Sequence, residues 1–366
     1  MSQSPYSSEK MPWLAFREGW PPAAPSQVQV VISDLCNENC SFCAYRMDGY
    51  TSNQLFSVGP LASYGHNNPK RFMPTERALA LLDEMKDAGV RAIQFTGGGE
   101  PTVHPDHVAI FRKAVAVGFE CSLVTNGLKM SDDLIATAAS FAWVRVSLDA
   151  GSAESYGLIR ETKPENYHRV LTNISSLSKR IFDISSECVL GVGFVVTPEN
   201  WSEIEAGILA AKEAGAHNVR LSAMFSQEDE KPYYNIYHGI RAAIATAKRH
   251  ETEAFKVYDL FGDRIEDLRL GNPDYDICAK MHYCSYIGAD LQTYMCCVYS
   301  YNEKGKVAGN FGNLRERSFK DFWESDERKK FMADFNPRSC ERCQFNHGNR
   351  AMNALLGDAP THVEFP

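Results

Sequence analysis

The chain contains 366 residues, and its 38 Lys and Arg residues against 46 Asp and Glu residues give a formal net charge of -8. This acidic balance, with no basic block of five or more residues, argues against sequence-independent binding to DNA or RNA. The hydrophobic content of 44% is enough for a large buried core. The longest uncharged apolar run, residues 189–196, is too short to span a bilayer. Because eleven cysteines grouped in clusters are typical of metal ligands in a reducing compartment, we expect a soluble cytoplasmic protein with no membrane partner.

In chain order, residues 1–26 are rich in Ser and Pro, which predicts an extension that covers the main domain or stays mobile. Strand and helix patterns alternate from residue 28 onward. Strands are predicted at residues 28–32, 91–96, 120–125, 144–148, 189–196 and 219–223. Helices are predicted at residues 74–88, 106–117 and 199–214. The alternation predicts an α/β fold with a parallel sheet, and it does not separate a barrel from an open doubly wound sheet.

Two regions depart from this alternation. Residues 44–73 form a long connection in which Tyr and Phe are interspersed, and the connection is either a lid over a substrate or a structural cover. After about residue 275 the alternation stops and cysteines return. We therefore expect an N-terminal extension at residues 1–26, a main domain at 27–255 and a cysteine-rich domain at 256–366.

The most informative motif consists of three cysteines, Cys36, Cys40 and Cys43, on the loop that follows the first predicted strand. Thiolates are the usual ligands of iron-sulfur clusters, and a cubane held by three of them keeps one iron open for a cofactor or substrate. A structural zinc site would want four ligands. The motif therefore favours an open iron-sulfur cluster over structural zinc.

This spacing, with Phe42 just before the last cysteine, resembles the signature of the radical S-adenosylmethionine (SAM) superfamily. The resemblance implies a partial (β/α)6 TIM-like barrel and a 4Fe-4S cluster whose open iron binds SAM. It also implies that one electron from the cluster, supplied by an external donor such as flavodoxin or ferredoxin, cleaves SAM to a 5'-deoxyadenosyl radical. By the same likeness, Phe42 and Tyr45 are candidate cofactor-binding residues.

Further segments at predicted strand ends resemble the SAM-binding positions of the superfamily. The run from Phe95 to Pro101 resembles its Gly-Gly-Glu-Pro motif, which contacts the SAM amino group. The candidate cofactor-binding residues from these segments are Gly97, Gly98, Gly99, Glu100, Asn126, Ser147, Asp149 and Arg160. Arg160 would pair with the SAM carboxylate, since an Arg fork fits a carboxylate bidentately, and the alternative is an ordinary surface arginine.

The tail resembles the SPASM and Twitch extensions of radical SAM enzymes, in which a Gly-Asn-Leu segment and a helix lead to a Cys-x2-Cys pair. Residues 312–323 supply that segment and helix, and no cysteine follows Cys343, so we expect one auxiliary 4Fe-4S cluster. The predicted ligands are Cys284, one of Cys296 and Cys297, Cys340 and Cys343. Structural zinc held by the same four thiolates is the alternative. Cys278 is then left as a catalytic hydrogen-atom donor, a reserve ligand or an inert thiol.

The resemblance implies a radical SAM oxidoreductase. Only 26 residues precede the first strand pattern, too few for a peptide-recognition domain, so we expect a small-molecule substrate of sugar, aminocyclitol or nucleoside type. A peptide or carrier-bound substrate is the alternative. An auxiliary cluster that accepts an electron favours oxidation, and without that transfer epimerisation or rearrangement would follow. A non-enzymatic electron carrier or redox sensor is the remaining alternative.

Overall fold

We analysed a computed structural model of the chain, which describes residues 10–46, 72–226, 228–298, 310–341 and 343–357. The strands are β1 (Gln27–Val31), β2 (Ala92–Thr96), β3 (Glu120–Thr125), β4 (Trp143–Ser147), β5 (Val189–Val196), β6 (Asn218–Ala223), β7 (Lys256–Asp259), β8 (Cys284–Ile287), β9 (Gln292–Tyr294) and β10 (Asn310–Asn313). The helices are α1 (Lys10–Glu18), α2 (Thr75–Asp87), α3 (His107–Val117), α4 (Asp132–Ala138), α5 (Ala153–Ile159), α6 (Asn166–Asp183), α7 (Ile204–Glu213), α8 (Tyr237–Ala247), α9 (Phe261–Leu270), α10 (Lys280–Tyr283), α11 (Phe319–Trp323), α12 (Asp326–Asp334) and α13 (Asn346–Leu356).

The strands form one mixed sheet in the order β10-β9-β8-β1-β2-β3-β4-β5-β6-β7. Strands β1 to β7 are parallel, and β8 pairs in parallel with the other side of β1. Strands β9 and β10 continue the sheet in antiparallel fashion. The two edge strands are β7 and β10, so the sheet is not closed. This α/β architecture confirms the predicted partial barrel.

The six predicted strands are present as β1 to β6, with ends within one residue of the predicted ends. Strand β7 was not predicted, because its four residues place only Val257 in the buried core and leave little pattern. Strand β8 was also not expected, since alternation was predicted to stop near residue 275. It extends the parallel sheet because Gln27 pairs with Cys284 and Val30 with Ile287.

The main core lies between the sheet and its helices. Alternate residues of β1 to β6 enter it, such as Val144 and Val146 on β4 and Phe194 on β5. Helix α7 approaches β5 closely, since a Cβ on Gly207 would lie 2.5 Å from the Phe194 ring. This close contact explains a glycine inside an otherwise apolar helix.

The described part of the N-terminal extension packs on the tail. Met11 and Leu14 of α1 contact the cluster formed by Ala279, Tyr283 and Met352, and Trp323 Nε1 donates a hydrogen bond to the Ala23 carbonyl at 2.9 Å. No helix in the described ranges is long and apolar enough to cross a membrane.

The fold leaves two predictions untested. The division at residues 255 and 256 remains a proposal, and we note that Lys256 of β7 pairs in register with Asn218 of β6. The predicted lid or cover at 44–73 falls mostly outside the described residues, which resume at Phe72. Phe72 forms an antiparallel bridge with Ser33 and contacts the His104 ring at 5.2 Å.

Candidate functional site

The three-cysteine loop lies at the C-terminal end of β1, where parallel strands present their ligand-binding edge. As residues, Cys36, Cys40 and Cys43 are all half-buried. The loop backbone is held by the end of α5, because Asn39 N donates to Arg160 O at 3.1 Å and Ser41 N donates to the Ile159 carbonyl at 3.0 Å. The loop is therefore positioned by a segment more than a hundred residues away in the chain.

Arg160 lies at the centre of a buried charge network beside this loop. Its Nη1 atom donates to Glu38 Oε2 at 2.9 Å and to Cys40 Sγ at 3.4 Å. Its Nη2 atom donates to Asp149 Oδ2 at 2.6 Å and to the Ser147 carbonyl. Tyr156 donates to Glu38 Oε1 at 2.6 Å. The network therefore joins the cysteine loop to the ends of β4 and α5.

Burial sets the electrostatics of this network. It raises the pKa values of Glu38 and Asp149, and the charge of Arg160 opposes that rise. Burial also opposes the charge of Arg160, but Cys40, Asp149 and Glu38 hold its pKa well above its ordinary value. The pKa of Cys40 is raised to about 11 and that of Cys36 is raised as well, both chiefly by burial. One cation therefore compensates two buried carboxylates and faces a thiol.

The glycine loop after β2 packs directly on the cysteine loop. Gly99 N donates to the Ser33 carbonyl at 3.2 Å, and Glu100 N donates to the Leu35 carbonyl at 2.7 Å. A Cβ on Gly99 would lie 2.2 Å from Leu35 O, and a Cβ on Gly97 would lie 2.1 Å from Gly99 O. Both glycines are required by close backbone approach.

Glu100 is buried and organises the next strand end. Its Oε1 atom accepts from Thr102 N at 3.1 Å, from Thr102 Oγ1 at 2.8 Å and from Thr125 Oγ1 at 2.6 Å. Its Oε2 atom accepts from Asn126 N at 2.7 Å. Asn126 Nδ2 then donates to Asn37 Oδ1 at 2.7 Å, so hydrogen bonds connect Glu100 to the cysteine loop through Asn126.

The cysteine loop fits the donor chemistry of an open iron-sulfur cluster. It offers three sulfur ligands on one loop, and soft thiolates select iron-sulfur clusters. Among the described residues, no group of three or more His, Cys, Asp or Glu side chains is placed to hold a single metal ion. Phe42 lies 6.0 Å from the Arg160 guanidinium, and Tyr45 packs beside Val31 and Tyr286.

The tail cysteines gather between α10, β9 and α13. Cys278, Cys296, Cys297 and Cys340 share an apolar cluster with Met281, Met295 and Phe345. Burial raises the pKa of Cys278 to about 12, and the thiols of Cys343 and Cys340 add to the rise. The Tyr275 hydroxyl lies 3.3 Å from Cys343 Sγ, and Gln344 Nε2 donates to Cys297 Sγ at 2.9 Å. Cys278 thus lies with the Cys340 and Cys343 pair.

A partly buried cation, Lys280, lies beside the other tail thiols. Burial opposes its charge, but Cys284, Cys297 and Cys296 hold its pKa above the ordinary value. Its Nζ atom also lies 4.9 Å from the centre of the Phe345 ring. Each cysteine group therefore has a nearby cation, the buried Arg160 at the first and the partly buried Lys280 at the second.

The structure brings most of the sequence-predicted positions together. Gly97 to Gly99, Glu100 and Asn126 lie against the cysteine loop, and Ser147, Asp149 and Arg160 lie on its other side. Their contacts with SAM stay predictions, as do the tail ligands. Sequence reasoning missed Glu38, Tyr156 and Lys280. For Glu38 and Lys280, the only signal in the sequence was that each of these charged residues lies between two of the cysteines.

Comparisons with known protein families agree with this geometry. The family model of the radical SAM superfamily matches residues 30–211, and that of an iron-sulfur cluster-binding domain, SPASM, matches residues 278–344. Streptococcus suis SuiB bound to precursor peptide SuiA superposes with a TM-score of 0.60 at 14% identity, covering 89% of this chain and 70% of that one. At this identity the likeness shows a shared fold.

Curated relatives match over shorter stretches. An S-adenosylmethionine-dependent nucleotide dehydratase of Flammeovirga pacifica is 26% identical over 170 residues, 46% of this chain and 52% of that protein. A PqqA peptide cyclase of Methylorubrum extorquens is 26% identical over 211 residues, 56% of this chain and 50% of that protein. The chain thus spans about half the length of these relatives. It belongs to the radical SAM superfamily, whose enzymes use a 4Fe-4S cluster and SAM, and it carries a SPASM iron-sulfur cluster-binding domain.

Proposed function

We propose that the chain cleaves SAM reductively at the cysteine loop and removes a hydrogen atom from a small molecule of sugar, aminocyclitol or nucleoside type. The observation that carries this proposal is that hydrogen bonds connect the glycine loop after β2 to the cysteine loop after β1. Glu100 and Asn126 connect the glycine loop to Asn37, so three thiols and the SAM-binding motif share one edge of the sheet. When bound, the cluster and SAM supply the radical chemistry.

In this proposal Cys36, Cys40 and Cys43 hold the cluster. Arg160 positions the loop and its cation faces Cys40, which stabilises negative charge at that sulfur. Because both terminal nitrogens of Arg160 already have carboxylate partners, we propose a positioning role for it ahead of pairing with the SAM carboxylate.

We further propose that the tail holds one auxiliary 4Fe-4S cluster, with Cys340, Cys343 and one of Cys296 and Cys297 as ligands, and with Cys278 as the fourth ligand in place of Cys284, which the sequence pattern predicted. Cys278 shares an apolar cluster with Cys340, and Asn349 Nδ2 donates both to Cys278 Sγ and to the Tyr275 hydroxyl that contacts Cys343 Sγ. This grouping supports a ligand role for Cys278 over that of a hydrogen-atom donor. Such a cluster, closed by four thiolates, would carry electrons rather than bind a second SAM. We therefore propose a two-electron oxidation of the substrate, with an external electron donor such as flavodoxin or ferredoxin.

A peptide is the second candidate substrate. Similarity to the PqqA peptide cyclases and the shared fold with the SuiB–SuiA complex favour it, whereas similarity to the nucleotide dehydratase favours a small molecule. We also propose a cytoplasmic location, because none of the eleven cysteines is paired in a disulfide.

The test is the anaerobic formation of 5'-deoxyadenosine by the reconstituted chain with dithionite as reductant. We expect product from the parent chain and none from a variant with Cys36, Cys40 and Cys43 all changed to Ala. Turnover of free nucleosides or sugars would support the small-molecule substrate, and turnover of peptides alone would replace it with the second candidate. Equal 5'-deoxyadenosine from parent and variant would contradict the proposed reaction.

A further inference from the structure

The inner face of the sheet, opposite the helix-packed core, is cationic along β4 to β7. Val144, Val146 and Phe194 point into the helix-side core, so the alternate residues of these strands occupy the inner face. Its side chains on β4 to β7 include Arg145, Arg220 and Lys256, and none of the inner positions on these described strands is Asp or Glu.

The two arginines lie on the strands on either side of a glycine. Strand β5 lies between β4 and β6, with Gly191 in register with Arg145 and Gly193 in register with Arg220. A Cβ on Gly193 would lie 3.6 Å from Arg145 Cδ, so the Arg145 side chain extends over this glycine. Gly193 therefore adds no side chain of its own on the strand between the two arginines.

Arg145 is partly buried and offers unused donors. Its guanidinium lies 5.5 Å from the centre of the Trp143 ring, and among the described residues no hydrogen bond or ion pair engages it. A partly desolvated guanidinium without an anion is unfavourable, and its planar donors match carboxylate and phosphate oxygens. The side chain therefore has both the charge and the geometry to recruit an oxyanion.

Arg145 lies close to the cysteine-loop network. Burial raises the pKa of Asp149, and the charges of Arg160, its ion-pair partner, and of Arg145 partly offset that rise. Ser147, two residues after Arg145 on the same face, is in register with Gly193. An oxyanion held between Arg145 and Arg220 would thus place the rest of a small molecule near the loop where SAM is proposed to react.

We propose that Arg145 and Arg220, on either side of Gly193, form an oxyanion subsite for a phosphate or carboxylate group of the substrate. This inference rests on the proposed function and narrows the substrate to an anionic molecule. The subsite binds without chemistry of its own, and its task is to orient the substrate against the cysteine loop.

The test is a titration of pyrophosphate and, separately, of glutarate into the anaerobically reconstituted, SAM-saturated chain. We expect one of the two to bind, and Arg145→Gln or Arg220→Gln to weaken that binding about 10- to 100-fold, the effect of losing a charge-assisted hydrogen bond. Pyrophosphate binding identifies a phosphate group, and glutarate binding identifies a carboxylate. Arg241→Gln is the matched control, because Arg241 lies on α8 and pairs with Asp259 at 2.6 Å.

Two more variants separate binding from folding. Arg145→Lys keeps the charge and is expected to retain part of the affinity. Gly193→Val places a branched side chain against Arg145 and is expected to abolish binding with both arginines present. The proposal is overturned if neither anion binds the parent chain, if Arg241→Gln weakens binding equally, or if Arg145→Gln lowers the affinity for SAM instead. Because 5'-deoxyadenosine formation by the parent chain is measured separately, failure of this subsite is distinguishable from failure of the proposed reaction.

Discussion

Arg160 is predicted to be the most costly single residue to neutralise in the cysteine-loop network. Its ion pairs with Glu38 and Asp149 measure 2.9 and 2.6 Å, and the three side chains are 5%, 0% and 2% exposed. Arg160→Gln would leave two buried carboxylates without their cation. Removing one partner of a buried ion pair costs about 3–5 kcal/mol, and we expect the free energy of unfolding to fall by that amount.

The matched control is Arg241→Gln. Its pair with Asp259 is equally short at 2.6 Å, but the arginine side chain is 41% exposed. Exposed pairs contribute about 0.2–1 kcal/mol, so this variant is expected to unfold almost as the parent does. Urea denaturation of the two variants and the parent, prepared without iron, measures the difference. Equal losses for the two arginines would refute the assignment of Arg160 as the buried charge that holds the loop.

Arg160 also makes a second, independent prediction in the same variant. Its Nη1 atom donates to Cys40 Sγ at 3.4 Å, and hydrogen bonds to ligand sulfurs are one determinant of cluster potential. Arg160→Gln is expected to lower the midpoint potential of the reconstituted cluster, while Arg160→Lys, which keeps a cation, restores part of it. A potential that does not move in Arg160→Gln would contradict this contact.

Further predictions concern folding, packing and the tail. Burial lowers the pKa of His217, whose Nδ1 atom accepts a backbone hydrogen bond at 3.0 Å, so its contribution to stability is present above about pH 6.5 and is lost as the pH falls toward the folded pKa. His217→Asn should therefore lose less stability than the parent between pH 7 and 5, and equal slopes in urea denaturation would contradict this. Gly99→Ala is expected to displace the cysteine loop, since the new Cβ would lie 2.2 Å from Leu35 O, whereas Gly262→Ala on a helix meets only a contact at 3.6 Å. Iron content after reconstitution should fall in the first and not in the second, and equal iron in both would count against the packing argument. Cys278→Ala is expected to reduce tail iron; unchanged iron with an altered product would instead support a hydrogen-atom donor.

Much of the fold follows from local patterns. The β-branched and apolar runs of β1 to β6 bury alternate or successive residues, so the sequence itself predicts these strands. Strand β7 was not predicted because Val257 is its one core residue. Strand β8 was not predicted because its pairing with β1 joins segments more than 250 residues apart. Local periodicity carries no information on such a contact.

The candidate site was likewise predictable from the sequence only in part. The cysteine spacing and the run from Gly97 to Glu100 are local motifs, and they indicate the loops that the fold brings together. The burial of Glu38 and the placement of Lys280 beside the tail cysteines depend on where α5 and the tail pack, and charged residues are exposed by default. Only tertiary structure reveals that Arg160 reaches Glu38.

The most direct test of the account is the content of iron, zinc and acid-labile sulfide in the anaerobically reconstituted chain, measured beside the variant with Cys36, Cys40 and Cys43 all changed to Ala. The variant isolates the tail site. The account predicts about eight irons in the parent chain and about four in the variant, one cubane for each cysteine group. A variant that retains zinc and no iron would contradict an auxiliary cluster, and a parent chain that binds no more iron than the variant would contradict the central claim that the cysteine loop holds the SAM-binding cluster.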